Sequence, residues 1–179
     1  METYYDDSSP LIIYINYHKF GLSLETWLDF QVSIQAMFDI TLEEEGQQKF
    51  DKNTYTPLKP VLIVERVETG RSITLTLKDG WKPSIIQKDG KVEIGLPKPI
   101  GKAGLIGYFL LQAASSILDL DKNILESTKL RIEIENMRTE TRKKLENKSK
   151  EIIIDTLKND EIIGLRINNA LIKEIKQDR

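Results

Sequence analysis

The sequence predicts an α+β fold: a small β-α-β-β(-β-β) head with one covering helix, then a long helical arm and a short C-terminal helical pair. Three observations predict it. Short β-branched runs separated by glycine turns are confined to the chain before Pro99. A single apolar stripe of helical period interrupts them between residues 24 and 45. Beyond Pro99 the chain is helix-forming almost without a break, and its apolar residues thin to a narrow seam. The boundaries that follow are a head over 1–98, an apolar helix and charged arm over 99–151, and C-terminal helices over 152–179.

The first element is "PLIIYINY", residues 10–17, β-branched and aromatic and closed by the glycine of "HKFG". Ser23 then offers an N-cap oxygen, and Glu25 sits near the positive end of the following helix dipole. In that helix Trp27, Phe30, Ile34, Met37, Phe38 and Thr41 recur at spacings of three and four, which predicts one broad buried face. "VLIVERVETGRSITLTLK" reads as a hairpin turning at Thr69-Gly70, with Ile73, Leu75 and Leu77 alternating against Thr74, Thr76 and Lys78. "SIIQKDGKVEIG" repeats the plan with Asp89-Gly90 at its turn.

In the arm, Leu130, Ile134, Met137, Thr141 and Leu145 form a seam in a helix otherwise crowded with Lys, Arg and Glu. So narrow a stripe suits a coiled coil or a helix lying on one neighbour. An unbroken helix from about 101 to 150 would be roughly 75 Å long. A head of about 100 residues has a radius of gyration of only about 13 Å, so such an arm would need a partner or a fold-back. Toward the end, Ile163, Ile167, Ala170, Leu171 and Ile175 make one helical stripe that calls for burial or self-association.

With 179 residues, 40% of them hydrophobic, the chain suits one domain with an appendage. The formal net charge of −2 gives no reason to expect nucleic acid. Its distribution is uneven: residues 1–58 hold ten acids and three bases, and residues 59–102 hold nine bases and five acids. The absence of cysteine excludes disulfides, thiolate metal sites and cysteine nucleophiles. "METYYDDSSP" lacks the basic-then-apolar plan of a secretion signal, so a cytoplasmic place is expected, extending to the periphery of the inner membrane.

No motif for catalysis survives inspection of its spacing. "GLPKPIGKA" imitates a phosphate loop, but five residues separate Gly95 from Gly101, two of them prolines without N–H donors, and Ala103 stands where a metal-binding hydroxyl is needed. "DLDKN", residues 119–123, begins like a calcium loop and then places Ile124 and Leu130 where glycine and glutamate are required. His18 is the only histidine and has no second metal ligand of its kind. "ERVETGR" reads as charge protection of an edge strand and "RKKLENKSK" as a solvated helix face, without the aromatic residues of a single-strand binder.

The segment after Lys102 asks most about function. Ala103 to Leu118 is uncharged and about 24 Å long as helix, short of the roughly 30 Å hydrocarbon core of a bilayer. Gly101, Ala103, Gly104 and Gly107 make a small-residue surface flanked by Phe109 and Leu111, suited to close approach by another helix. We therefore expect a non-catalytic, self-assembling scaffold, adaptor or regulatory protein acting through helix-mediated oligomerisation. The alternative is a membrane-associated effector whose 101–118 helix contacts the bilayer. The expected partner is a second copy, with a different protein or a membrane as the other candidates; no cofactor, metal or nucleic acid is expected.

Overall fold

The computed structural model describes residues 10–43, 49–50, 57–68, 70, 72–83, 102–118 and 128–175. The predicted second hairpin, the loop containing Gly101, the "DLDKN" segment and the Leu130 side chain lie outside the described residues. The fold class is α+β. Six strands form one antiparallel sheet in the order β2-β3-β4-β1-β5-β6, and helices cover one of its faces.

Strand β1 (Leu11–Tyr17) is central because its alternation is two-sided. Leu11, Ile13 and Ile15 are buried under the helices, opposite Leu77, Leu75 and Ile73 of β4 (Ser72–Pro83). Ile12, Tyr14 and Asn16 point to the other face, where the Arg166 guanidinium lies 5.8 Å from the Tyr14 ring centroid. Strand β3 (Pro57–Glu68) pairs with β4 along its length, and the two-residue β2 (Lys49–Phe50) pairs only with Pro57 and Leu58. Pro57 is tolerated as the first residue of β3, and Pro60 lies where β2 no longer pairs with the strand.

Helix α1 (Leu24–Leu42) begins as the sequence predicts: the Ser23 hydroxyl accepts from the Thr26 N–H at 3.2 Å. Its buried face is Phe30, Ile34, Met37, Phe38 and Thr41, with Trp27 partly buried beside it. Burying an aromatic or branched side chain of this kind contributes about 1.5–3 kcal/mol, so this face fixes the helix on the sheet. No base lies in its last turn. The negative end of its dipole is met instead by Arg138, whose guanidinium donates to the Glu43 carbonyl at 2.8 Å, and by Lys144, 3.0 Å from the Glu43 carboxylate.

The arm does not project. Helix α2 (Lys102–Leu118) is buried on most of its circumference as far as Ala114. Helix α3 (Thr128–Glu135) is tied to its start by the Lys102–Glu133 ion pair at 2.9 Å. Helix α4 (Thr139–Lys158) follows a break at residues 136–138 and lies against α1 and α2. Its buried row is Thr141, Leu145, Ser149, Ile152, Ile153 and Thr156. That row serves two neighbouring helices of the same chain, α1 and α2.

Of the predicted C-terminal helical pair, the first is helical as the end of α4, which stops at Lys158 with Asn159 as its cap, and the second is a β-hairpin, β5 (Ile162–Ile167) and β6 (Ala170–Glu174). Asn168 and Asn169 both take positive φ, 47° and 69°, the conformation of a two-residue primed turn that Asn accepts more readily than other non-glycine residues. The isoleucines of this segment satisfy a period of two as well as a period of four, and the turn decides between them. β5 then completes the second edge of β1, with Ile13 opposite Ile167 and Ile15 opposite Leu165.

Candidate interaction surface

The surfaces assigned to assembly from the sequence lie inside the molecule. Ala103, Gly107, Phe109 and Leu111 are buried and Gly104 is half-buried, while Gly101 lies outside the described residues. The close neighbour that Gly107 admits is the β5–β6 turn: a Cβ built there would stand 2.7 Å from Asn168 Nδ2 and 3.3 Å from Leu11 Cδ1. Of the arm seam, Ile134, Thr141 and Leu145 are buried and Met137 is partly buried against the same core. Ile163, Ile167 and Ala170 are buried in the hairpin, and only Leu171 and Ile175 of that stripe are exposed.

The remaining candidates have structural duties. His18 stands in an exposed turn, stacks on Phe20 at 4.8 Å and accepts from the Phe20 N–H through Nδ1 at 3.3 Å. Lys102 is buried and held by Glu133. Of the basic "RKKLENKSK" stretch, Arg142 pairs with Glu146, Lys144 with Glu43 and Lys148 with Glu151. Among the described residues, no group of three or more His, Asp or Glu is placed to hold a metal ion.

Lys173 is a buried base that sequence reasoning missed. Its ammonium donates to the Thr156 and Asn159 carbonyls at 3.0 and 2.8 Å, closing the end of α4, and burial pushes its pKa below the usual lysine range while Asp160 opposes the shift. Glu161 is the acidic counterpart at the start of α1. Its carboxylate accepts from the Ser23 N–H at 2.8 Å, the Ser23 hydroxyl at 3.0 Å and the Thr26 hydroxyl, and these bonds hold its pKa below the ordinary carboxylate value, that to Thr26 most. Beside this cap a polar cleft of about 230 Å³ is lined by Thr26, Asp29, Ser33, Asp155, Thr156 and Asn159 over an apolar floor. Between α2 and α4 a smaller cleft of about 160 Å³ runs past Gln112, whose Oε1 is buried without a partner among the described residues.

The apolar surface that folding leaves uncovered is elsewhere. Leu24, Leu28 and Val32, at helical spacing on α1, are 70%, 47% and 66% exposed. Next to them the helix-side face of β3 is open. Val64 and Val67, opposite Leu77 and Leu75, point to the same face as the core and are still 53% and 48% exposed. The bulge between Val64 and Arg66 makes this possible, since it returns Val67 to the face of Val64 three residues away.

Between α1 and β3 runs a groove of about 310 Å³ lined by Gln31, Val32, Gln35, Leu62 and Val64 over Leu75 and Leu77. No family model, curated protein or solved structure matches this chain. The groove and its flanks are therefore judged on chemistry alone. They offer apolar contact, two amide side chains that both donate and accept, and no charge. They lack the convergent acid, base and nucleophile of a reaction centre. The α1 half of it had a sequence signal, Leu24-Leu28-Val32 at i, i+4, i+8, which the stronger stripe on the opposite face obscured.

Proposed function

We propose that the chain is a self-assembling scaffold or adaptor that works through protein contacts rather than catalysis, with the α1–β3 surface as its contact region. The observation that carries this is the continuous apolar exposure from Leu28 and Val32 of α1 across the groove to Val64 and Val67 of β3. Exposed apolar patches of more than a few hundred Å² are uncommon on chains that act alone. In this reading the contact is helix-mediated in part, through α1 instead of α2 or α4. Bilayer contact by the 102–118 helix would require α2 to leave the core it helps to build, and no helix among the described residues is long and apolar enough to cross a membrane.

Sedimentation velocity across a hundredfold concentration range tests the proposal. The intact chain is expected to show a concentration-dependent assembly. Val32→Glu, at a position 66% exposed, is expected to weaken that assembly about tenfold or more without changing the circular dichroism spectrum. A chain that stays monomeric throughout, or a Val32→Glu variant that assembles as well as the parent, overturns the assignment.

A further inference from the structure

His18 is the only histidine of the chain. Histidine is the side chain whose ordinary titration falls between about pH 5 and about pH 8. We propose that the turn joining β1 to α1 is a proton-operated switch, in which neutral His18 holds Phe20 and protonated His18 lets it go. The switch works whether or not the chain assembles.

The chemistry follows from one hydrogen bond. The Phe20 N–H donates to His18 Nδ1 at 3.3 Å, so Nδ1 carries no proton and the ring hydrogen is on Nε2. The two rings stack beside this bond, with centroids 4.8 Å apart and planes 25° from parallel. A proton added to the imidazole goes to Nδ1, the ring nitrogen that still has a lone pair to give. Two N–H donors then face each other where a donor faced an acceptor. The imidazolium leaves this rotamer, and Phe20 loses both the partner of its N–H and the ring on which it stacks.

The surrounding charges do not hold the ring in place. In the turn itself the Lys19 ammonium lies 5.2 Å from the Phe20 centroid, a like charge close to the stack. From the segment before β5, Glu161 gives His18 only its carbonyl, because its carboxylate is engaged by Ser23 and Thr26. Its neighbour Asp160 acts on Lys173. At the β3–β4 end, Gly70 receives the Tyr17 hydroxyl, and Glu68 is paired with Arg66.

The backbone, by contrast, stays. His18 N–H donates to the Glu161 carbonyl and Gly21 N–H to the His18 carbonyl, both at 2.8 Å and neither through the imidazole. Beyond Gly21 the chain is fixed again, with Leu22 packed against the core and the Ser23 N–H bonded to Glu161. Protonation therefore changes how one aromatic ring, 86% exposed, is presented at the start of α1 and leaves the fold intact.

Nuclear magnetic resonance of the intact chain tests the switch, since the ring signals of a single histidine are unambiguous. On the alkaline side of the titration the ring nitrogens should report the Nε2–H tautomer, and the two rings should show mutual Overhauser contacts. On the acid side those contacts should be lost, with the same midpoint as the change in His18 side-chain couplings. Asparagine at this position can accept from the N–H two residues on and does not titrate. In His18→Asn the Phe20 amide signal should therefore stay still over the range in which it moves in the parent. An Nδ1–H tautomer at alkaline pH, ring contacts that survive protonation, or a Phe20 amide that still titrates in His18→Asn overturns the proposal.

Discussion

Gly104 and Gly107 stand one helical turn apart in α2 and should respond oppositely to the same substitution. At Gly104 a Cβ meets nothing within 4 Å, so Gly104→Ala should gain up to about 1 kcal/mol from helix propensity alone. At Gly107 the Cβ would meet Asn168 Nδ2 at 2.7 Å. A free amide would swing away, but this one is held: Asn168 Oδ1 accepts from the Ile12 N–H at 2.9 Å, and the Asn168 N–H donates to the Ile12 carbonyl at 2.9 Å. Overpacking against a fixed group costs about 1–3 kcal/mol, which outweighs the propensity gain. Urea denaturation of the two variants should therefore move the midpoint up for Gly104→Ala and down for Gly107→Ala. Equal shifts would mean that Asn168 is not fixed by β1.

Among the elements, α1 depends most visibly on residues far along the chain, with Glu161 bonded at its start and Arg138 and Lys144 at its end. The Glu161 carboxylate has a lowered pKa in the folded state, so the stability it adds is complete above the unfolded value of about 4.3 and is lost as pH falls through the folded value. Glu161→Gln should accordingly be less stable than the parent at neutral pH, and the gap should begin to narrow as pH falls below the unfolded value and close once it passes the folded one. A gap that stays constant as pH falls from neutral through the acid range would show that shape rather than charge is what the variant disturbs. Ser23, the α1 stripe and the β3–β4 alternation were legible because each rests on neighbours within one turn or one strand. The β5–β6 hairpin was not, since Ile163, Ile167, Ala170 and Leu171 fit a helix as well as a strand until the positive φ of Asn168 and Asn169 is known. The α2 and α4 stripes were legible as apolar faces, but whether a partner or the chain's own head covers them was not, because periodicity says that a face is covered and not by what. Exposure of the α1–β3 groove was invisible for a related reason: Val64 and Val67 look like core in the sequence, and a strand at the margin of a sheet is left open only by what fails to pack over it.

For the whole molecule, the central position of β1 between β4 and β5 decides how the chain divides. The core is one cluster in which Leu11, Ile13 and Ile15 join Leu145, Ile152 and Ile153 of α4 and Leu165, Ile167 and Ile172 of the hairpin. A chain cut after residue 118 keeps α1, α2 and the first strands but loses the cover of α2 and one whole edge of β1. It is expected to lose cooperative thermal unfolding and to bind a hydrophobic dye, whereas a sharp transition in the fragment would show that the first part folds unaided. The bond from Asn168 to Ile12 also spans 156 residues of sequence. On a ribosome adding about 5–20 residues per second, β1 therefore waits roughly 8–30 s for the strand that completes its second edge. During that interval α2, the most apolar of the described helices, has only α1, β1 and β4 to pack against, and α4 and the hairpin that complete its cover are still to come. Nascent chains of this protein should accordingly engage holding chaperones throughout synthesis of the last third and let go only near release, so that its yield in a cell depends on chaperone supply more than its final stability suggests.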